Sequence, residues 1–265
     1  MVEKTGVLQR SPKNQILVAV RKLVPILVGF AVCAGIWEAV RVGLKLPEVV
    51  SPSLVSIAGA LGDKAGYLFL ELLFTIGESL AGFLIGSTLG CFVAFLFILS
   101  TFFRQAAYPI ALMIKATPLI AMAPVVILWF GSGLLSKVVM SSILCFFPVL
   151  VACFDGLRST NQSVVELLDM YGATKSQIFW KARIPSALPS LFSGLKVALP
   201  MALVGAVIGE YLSATRGIGY VIANSSYHLK TPLMYGALFL VSATGLILFL
   251  ALILMEKKIA FWKDK

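Results

Sequence analysis

Long apolar runs separated by short polar stretches recur along the chain at about 22–43, 70–99, 106–130, 138–157, 189–213 and 233–255. Each is long enough to cross a hydrocarbon layer about 30 Å thick as an α-helix. A segment in lipid must satisfy its own backbone, which a helix does and an isolated strand does not. The pattern predicts an all-α fold, a polytopic membrane helical bundle with six transmembrane helices in one domain. The first run follows Lys4, Arg10, Lys13, Arg21 and Lys22 and contains small residues at Ala31–Ala34, as a signal peptide would. Its length of about 20 residues instead favours an uncleaved spanning helix.

The connections are uneven. Segment 44–69 carries Pro47 and Pro52 and then an amphipathic stretch from Leu54 to Leu61, which reads as a helix lying at the outer face. Segment 158–188 is the longest stretch on the opposite side. Val164, Val165, Leu167, Leu168, Tyr171, Ile178 and Phe179 give it a helical period, and Gly172 divides it. Pro185 and Pro189 are expected to end that helix before the fifth span. An amphipathic helix with no membrane to cross is expected to dock on a partner or on its own bundle.

Composition agrees with the pattern. Hydrophobic residues make up 59% of the 265 and charged residues 13%, against about 25% charged in soluble domains; mean hydropathy is +0.97. A soluble enzyme, a disordered chain and a secreted disulfide scaffold are excluded. The net charge of +10 is then a matter of topology, not of nucleic acid. Of the 22 lysines and arginines, 14 fall in the N-terminal segment, the second and fourth connections and the tail. Six (Arg41, Lys45, Lys64, Lys137, Arg216 and Lys230) fall on the other side, and Lys115 and Lys196 lie within spans. The positive-inside rule places both termini in the cytoplasm: a cytoplasmic segment 1–21, a transmembrane domain 22–255 with the cytoplasmic loop 158–188, and a cytoplasmic tail 256–265. Cys33, Cys91, Cys145 and Cys153 sit in apolar runs without a C-x-x-C pair and read as packing residues. The lone His228 cannot form a zinc site. No metal site and no catalytic residue is expected.

Within the 158–188 loop, Glu166 is followed six residues on by Gly172 and then by Ile184-Pro185. This resembles the EAA loop of permease subunits of binding-protein-dependent ABC importers, E-A-A-x3-G-x9-I-x-L-P, with Leu167 and Leu168 in place of the alanines. Lys115-Ala116-Thr117-Pro118, Trp129-Phe130-Gly131, Asp155-Gly156-Leu157-Arg158-Ser159, Gly209-Glu210 and Gly217-Ile218-Gly219-Tyr220 are similar to the branch that moves nitrate, sulfonates, taurine and thiamine-pyrimidine precursors. The resemblance spans about residues 70–255. It implies the type I ABC importer permease fold, an inner-membrane location in a prokaryote, and a non-catalytic role. The implied partners are two ATPase subunits, a second permease copy (a homodimer is favoured) and an extracytoplasmic solute-binding protein. ATP and Mg belong to the partner ATPase, since no P-loop occurs in this chain. The resemblance implies ATPase coupling through Glu166, Leu167, Leu168, Gly172, Ala173 and Pro185. Glu78, which precedes Gly82-Phe83 where many members carry Arg, together with the Asp155–Ser159 and Ser193–Leu195 stretches, resembles members that handle a thiamine-pyrimidine or riboflavin-like solute rather than a simple anion such as sulfonate, taurine or nitrate.

Ionisable residues inside spans are costly and read as functional. Glu78, Lys115 and Lys196, with Pro118 and the outer Glu210, are therefore candidate pathway or gate residues. The glycine rows Gly82-x3-Gly86-x3-Gly90 and Gly205-x3-Gly209 predict close helix packing. Trp37, Trp129 and Trp262 suit interfacial anchors and Trp180 either the membrane surface or a partner. Two other classes compete. A gradient-driven secondary transporter would need an inverted repeat, and an intramembrane enzyme would need a nucleophile and base or metal ligands at span depth; neither pattern is present.

Overall fold

Helix follows helix because the apolar runs leave the backbone no other way to bond. The structure, a computed structural model, describes residues 12–260, with the side chains of 12–23, 26 and 27 outside that description. Lys4, Arg10, Lys263, Lys265 and Trp262 lie outside the described residues, as do the side chains of Lys13, Arg21 and Lys22. The elements are α1 (Pro12–Gly43), α2 (Leu54–Asp63), α3 (Ala65–Leu99), α4 (Thr101–Ala116), α5 (Leu119–Phe130), α6 (Leu134–Arg158), α7 (Gln162–Met170), α8 (Lys175–Ile178), a π-helical turn (Phe179–Arg183), α9 (Ile184–Ser213), α10 (Ile218–Tyr227) and α11 (Thr231–Ile259).

Among the described residues, α3, α6, the rod Lys175–Ser213 and α11 are long and apolar enough to cross a membrane, and the bent pair α4–α5 passes the same test as one unit. The first predicted span falls in α1. Two expectations need correction. The run 106–130 is not one straight helix: α4 and α5 meet at 102°. Pro118 lacks an N–H and forces Thr117 to extended angles (φ −75°, ψ 124°), which a continuing helix cannot accept. Nor do Pro185 and Pro189 end a helix. Residues Lys175–Ser213 form one rod, continuous through the π-turn Phe179–Arg183. Pro185 falls within the first two residues of α9. An α-helical turn there would clash with the carbonyl four residues earlier; the wider turn takes up that misfit.

The centre of the bundle is α6, wedged between α3 and α9 by the two glycine rows. A Cβ added at Gly86 would stand 2.5 Å from Ser142 O, one at Gly90 2.8 Å from Phe146 O, and one at Gly205 2.7 Å from Ser141 Cα. Ser142 Oγ donates to Gly82 O (3.1 Å) and to Val138 O (2.8 Å) across this contact. Toward one end of α6, Phe97, Leu150, Leu157 and Ala187 pack together; toward the other end of α3, Leu68, Leu72, Ile218 and Val221 do so. That second end also gathers α2, the start of α11 and the end of α1, where Trp37 Nε1 donates to Pro52 O (3.1 Å) and Glu38 accepts from Leu54 N (2.8 Å). α11 keeps Ile247 and Leu254 exposed, as a helix bordering lipid would.

Candidate functional site

Three sites collect the polar side chains of the bundle. The first is the loop α7–α8. Asn161 caps α7, its Oδ1 accepting from Ser163 N (2.9 Å). Gly172 ends the helix at φ 73°, a conformation open to glycine and costly for other residues. Its N–H reaches Asp169 O (2.8 Å) and that of Ala173 reaches Leu168 O (3.0 Å). Thr174 and Gln177 then form a capping box: Gln177 N donates to Thr174 Oγ1 (3.3 Å) and Thr174 N to Gln177 Oε1 (2.8 Å). Val164, Leu167 and Tyr171 share one face of α7 and stand open, Tyr171 at 83% exposure. Glu166 is on the opposite flank, where its Oε1 accepts from Gln162 Nε2 (3.2 Å). Leu168 is half-buried, and Pro185 lies in the rod that joins this loop to α9.

The second is a buried cluster at the other end. α10 begins with three backbone amides that have no helical partner. Glu71 Oε2 accepts from Gly217 N (2.5 Å), Thr75 Oγ1 from Ile218 N (2.9 Å) and Glu210 Oε2 from Gly219 N (2.7 Å). Thr75 Oγ1 also donates to Glu210 Oε2 (3.0 Å). Anionic side chains suit this place because the amides carry the positive end of the helix dipole. Gly217 sits at φ 97°, and a Cβ there would run into the Glu210 carboxyl. Glu78 faces Glu210 from α3, with Lys137 beside both. Lys137 is 2% exposed and donates to Ser132 O and to Gly133 O (2.9 Å), closing the turn before α6. The structure thus brings Glu78 and Glu210 together, among α3, α6, α9 and α10.

The third is a cavity of about 730 Å³ walled by α4, α5, α6 and α9. Lys115 and Thr117 border it at the break before Pro118, and Asp155, Ser190 and Ser193 supply polar groups among Phe146, Phe147 and Pro148. Lys115 Nζ lies 4.4 Å from the centroid of the Phe147 ring, a cation–π contact. Lys196 does not border it; its Nζ pairs with Glu256 Oε2 of α11 at 2.8 Å.

Sequence reasoning missed Glu71, Thr75, Lys137 and Ser190 as site residues, and took Asp155 and Ser193 only as parts of motifs, not as groups that share a cavity. Glu71, Thr75, Glu78 and Ser79 were readable as one polar stripe at helical spacing in an otherwise apolar span. That Asp155 meets Ser190 and Ser193 was not readable, because nothing in the chain order says that α6 and α9 face a common space. No group of three His, Cys, Asp or Glu able to hold a metal occurs among the described residues.

The family model for the inner membrane component of binding-protein-dependent transport systems matches residues 86–259. A probable ABC transporter permease protein of Haemophilus influenzae is 33% identical over 88% of this chain and 95% of its own length. The formylaminopyrimidine transport permease protein ThiX of Halalkalibacterium halodurans is 31% identical over 89% and 94%. In fold, the chain matches one from inward-facing MetNI, a methionine ABC transporter, with a TM-score of 0.61 at 19% identity, covering 73% of this chain and 95% of that one. The motifs of the loop, the all-helical bundle and these matches agree, and the chain belongs to the binding-protein-dependent transport system inner membrane components, as a transmembrane permease subunit of the ABC importer class.

Proposed function

We propose that this permease is one of two identical copies that form the translocation path of an importer, powered by two partner ATPases and supplied by an extracytoplasmic binding protein. The chain spans the inner membrane six times, as 22–255, with the segment 1–21, the loop 158–188 and the tail 256–265 in the cytoplasm. One observation carries the coupling part: the open apolar face of α7, followed by a rod that continues without a break from α8 into α9. Leu167, Leu168 and Ala173 seat in a groove of the ATPase, with Glu166 completing the contact from the flank of α7. Gly172 sets the bend that presents them. ATP and Mg stay on the ATPase. When ATP closes the two ATPases, the loop moves with them, and the rod carries that motion through Pro185 into the span.

The cavity beside Lys115 and Pro118 supplies this copy's wall of the path, which the second copy closes. The solute is a small organic molecule, and a thiamine-pyrimidine precursor or riboflavin-like compound is the first choice ahead of sulfonate, taurine or nitrate. A wall with one lysine, one aspartate, one threonine, two serines and the rings of Phe146 and Phe147 suits a planar heterocycle bearing both donors and acceptors. Glu78 and Glu210, candidates for the path from sequence, support it from the outer end through the α10 clasp, and Lys196 from the α9–α11 contact.

Uptake into proteoliposomes holding the assembled transporter tests the coupling assignment. Gly172→Pro and Leu167→Asp should each reduce ATP-driven uptake by about tenfold or more, since each removes a feature the docked loop requires. ATPase activity stimulated by the binding protein should fall in parallel. Wild-type values for both would end the assignment, and uptake driven by an ion gradient without ATP would replace it with a secondary transporter.

A further inference from the structure

A second large cavity, about 720 Å³, lies between the last turns of α3 and the α7–α8 loop. Its walls divide by chemistry. Phe95, Leu99, Phe179 and Trp180 form an apolar side, with Phe95 and Phe179 edge to face at 5.3 Å and Phe179 and Trp180 at 5.6 Å. Glu166 and Asp169 border it from α7, and Lys175 and Arg183 from α8 and the π-turn. These four charges are not paired with one another: the ion pairs among the described residues are Arg41–Glu38 and Lys196–Glu256. Two positive and two negative side chains therefore face one space without an ion pair, and Glu166 has the neutral Gln162 amide as its partner.

The depth of this space is set by α3. Its 35 residues extend about 52 Å at 1.5 Å per residue, against a hydrocarbon core of about 30 Å. With the helix centred in that core, Phe95–Leu99 stand about 5–10 Å beyond its edge, at the depth of the headgroups. Leu99 and Trp180 are both 66% exposed at that level, and a tryptophan beside basic residues is what this layer selects. The π-turn adds a local reason: π-bulges alter the side-chain register of a helix and gather at functional sites, and this one holds Trp180 and Arg183.

We propose that this cavity binds the headgroup of an ethanolamine phospholipid of the cytoplasmic leaflet. The phosphate takes Lys175 and Arg183, the ammonium takes Asp169, and the apolar side of Phe95, Leu99 and Trp180 takes the glycerol backbone and the first methylenes of the chains. The charge pattern selects this class. A glycerol headgroup satisfies the cations and leaves the carboxylates without a donor, and a choline headgroup carries no N–H to give them. The site lies where the coupling loop meets its span, so a bound lipid would brace the rod against α3. The leaflet rests on the orientation proposed above, but binding itself is read without transport, so the two fail separately.

Native mass spectrometry of the full-length permease in detergent, titrated with phosphatidylethanolamine, phosphatidylcholine or phosphatidylglycerol of matched chains, tests it. Retention should favour the ethanolamine lipid by about tenfold, as charge-assisted hydrogen bonds of this kind warrant. Arg183→Gln should remove most retention of all three. Asp169→Asn, a conservative change at an exposed position that spares folding, should abolish the preference for ethanolamine over choline while retaining lipid. Equal retention of the three lipids, preference for the glycerol lipid, or a preference unchanged in Asp169→Asn would overturn the proposal. Loss of the bound lipid on assembly with the ATPase would also overturn it, by giving the cavity to the ATPase.

Discussion

Glu210→Ala should lower the unfolding midpoint of the detergent-solubilised permease by about 6–12 °C, taking about 3 kcal/mol for the change and 2–4 °C per kcal/mol for a chain of this size. The carboxylate is 1% exposed and its Oε2 holds both Gly219 N and Thr75 Oγ1. Alanine leaves that amide without an acceptor in an interior that water does not reach, and each orphaned donor costs its full desolvation. Alanine also leaves Lys137 with one carboxylate fewer nearby. Glu71 and Thr75 would still hold Gly217 N and Ile218 N, so α10 should stay helical but open more often along its length. Hydrogen exchange locates the effect: amides 217–227 should exchange faster while those of α6 stay protected. Glu210→Gln keeps an acceptor and should cost about half as much. An unchanged midpoint together with unchanged exchange over 217–227 would show that the clasp does not hold α10.

The clasp also marks where reading the chain stopped. Its residues come from α3, α9 and the turn before α10, and Glu71 is 146 positions from Gly217. Hydrophobic period identifies each span separately and says nothing about which carboxylate meets which amide. Glu78 and Glu210 stood out because charge is costly in lipid, but cost alone does not tell a path from a buried bond. The spans were legible for a simpler reason: their length and composition are a local property. The break at Thr117-Pro118 was equally local and was passed over, since the apolar run continues unchanged through it. The prolines at 185 and 189 misled in the opposite direction: the π-turn that accommodates Pro185 has no signature in the pattern of apolar positions, and Pro189 is carried inside α9. Gly172, the glycine of the loop motif, stands at φ 73° where α7 ends.

The glycine rows were the clearest long-range signal, and they lead to the largest expected effect. Gly82, Gly86 and Gly90 on α3 and Gly205 and Gly209 on α9 all close on the same helix, α6, from two sides. Gly86→Ala places a methyl 2.5 Å from Ser142 O, and Gly205→Ala places one 2.7 Å from Ser141 Cα. In each case the obstacle is backbone, so no side chain can swing aside. Each change alone should cost about 2–3 kcal/mol through a shift of α6. The shift that relieves one contact moves α6 into the other, because Ser141 and Ser142 are adjacent on a helix held from both sides. The double variant should therefore lose more than the sum of the single losses, enough that little monodisperse protein is recovered after extraction. Gly77→Ala is the control. It lies on the same helix as Gly86, with nothing within 4 Å of an added Cβ, and should change the midpoint by no more than about 1–2 °C. Extraction yield and unfolding midpoints of the four proteins decide the matter. Strictly additive losses would mean that α6 can move away from both neighbours at once, and that the two rows are separate contacts rather than one clamp.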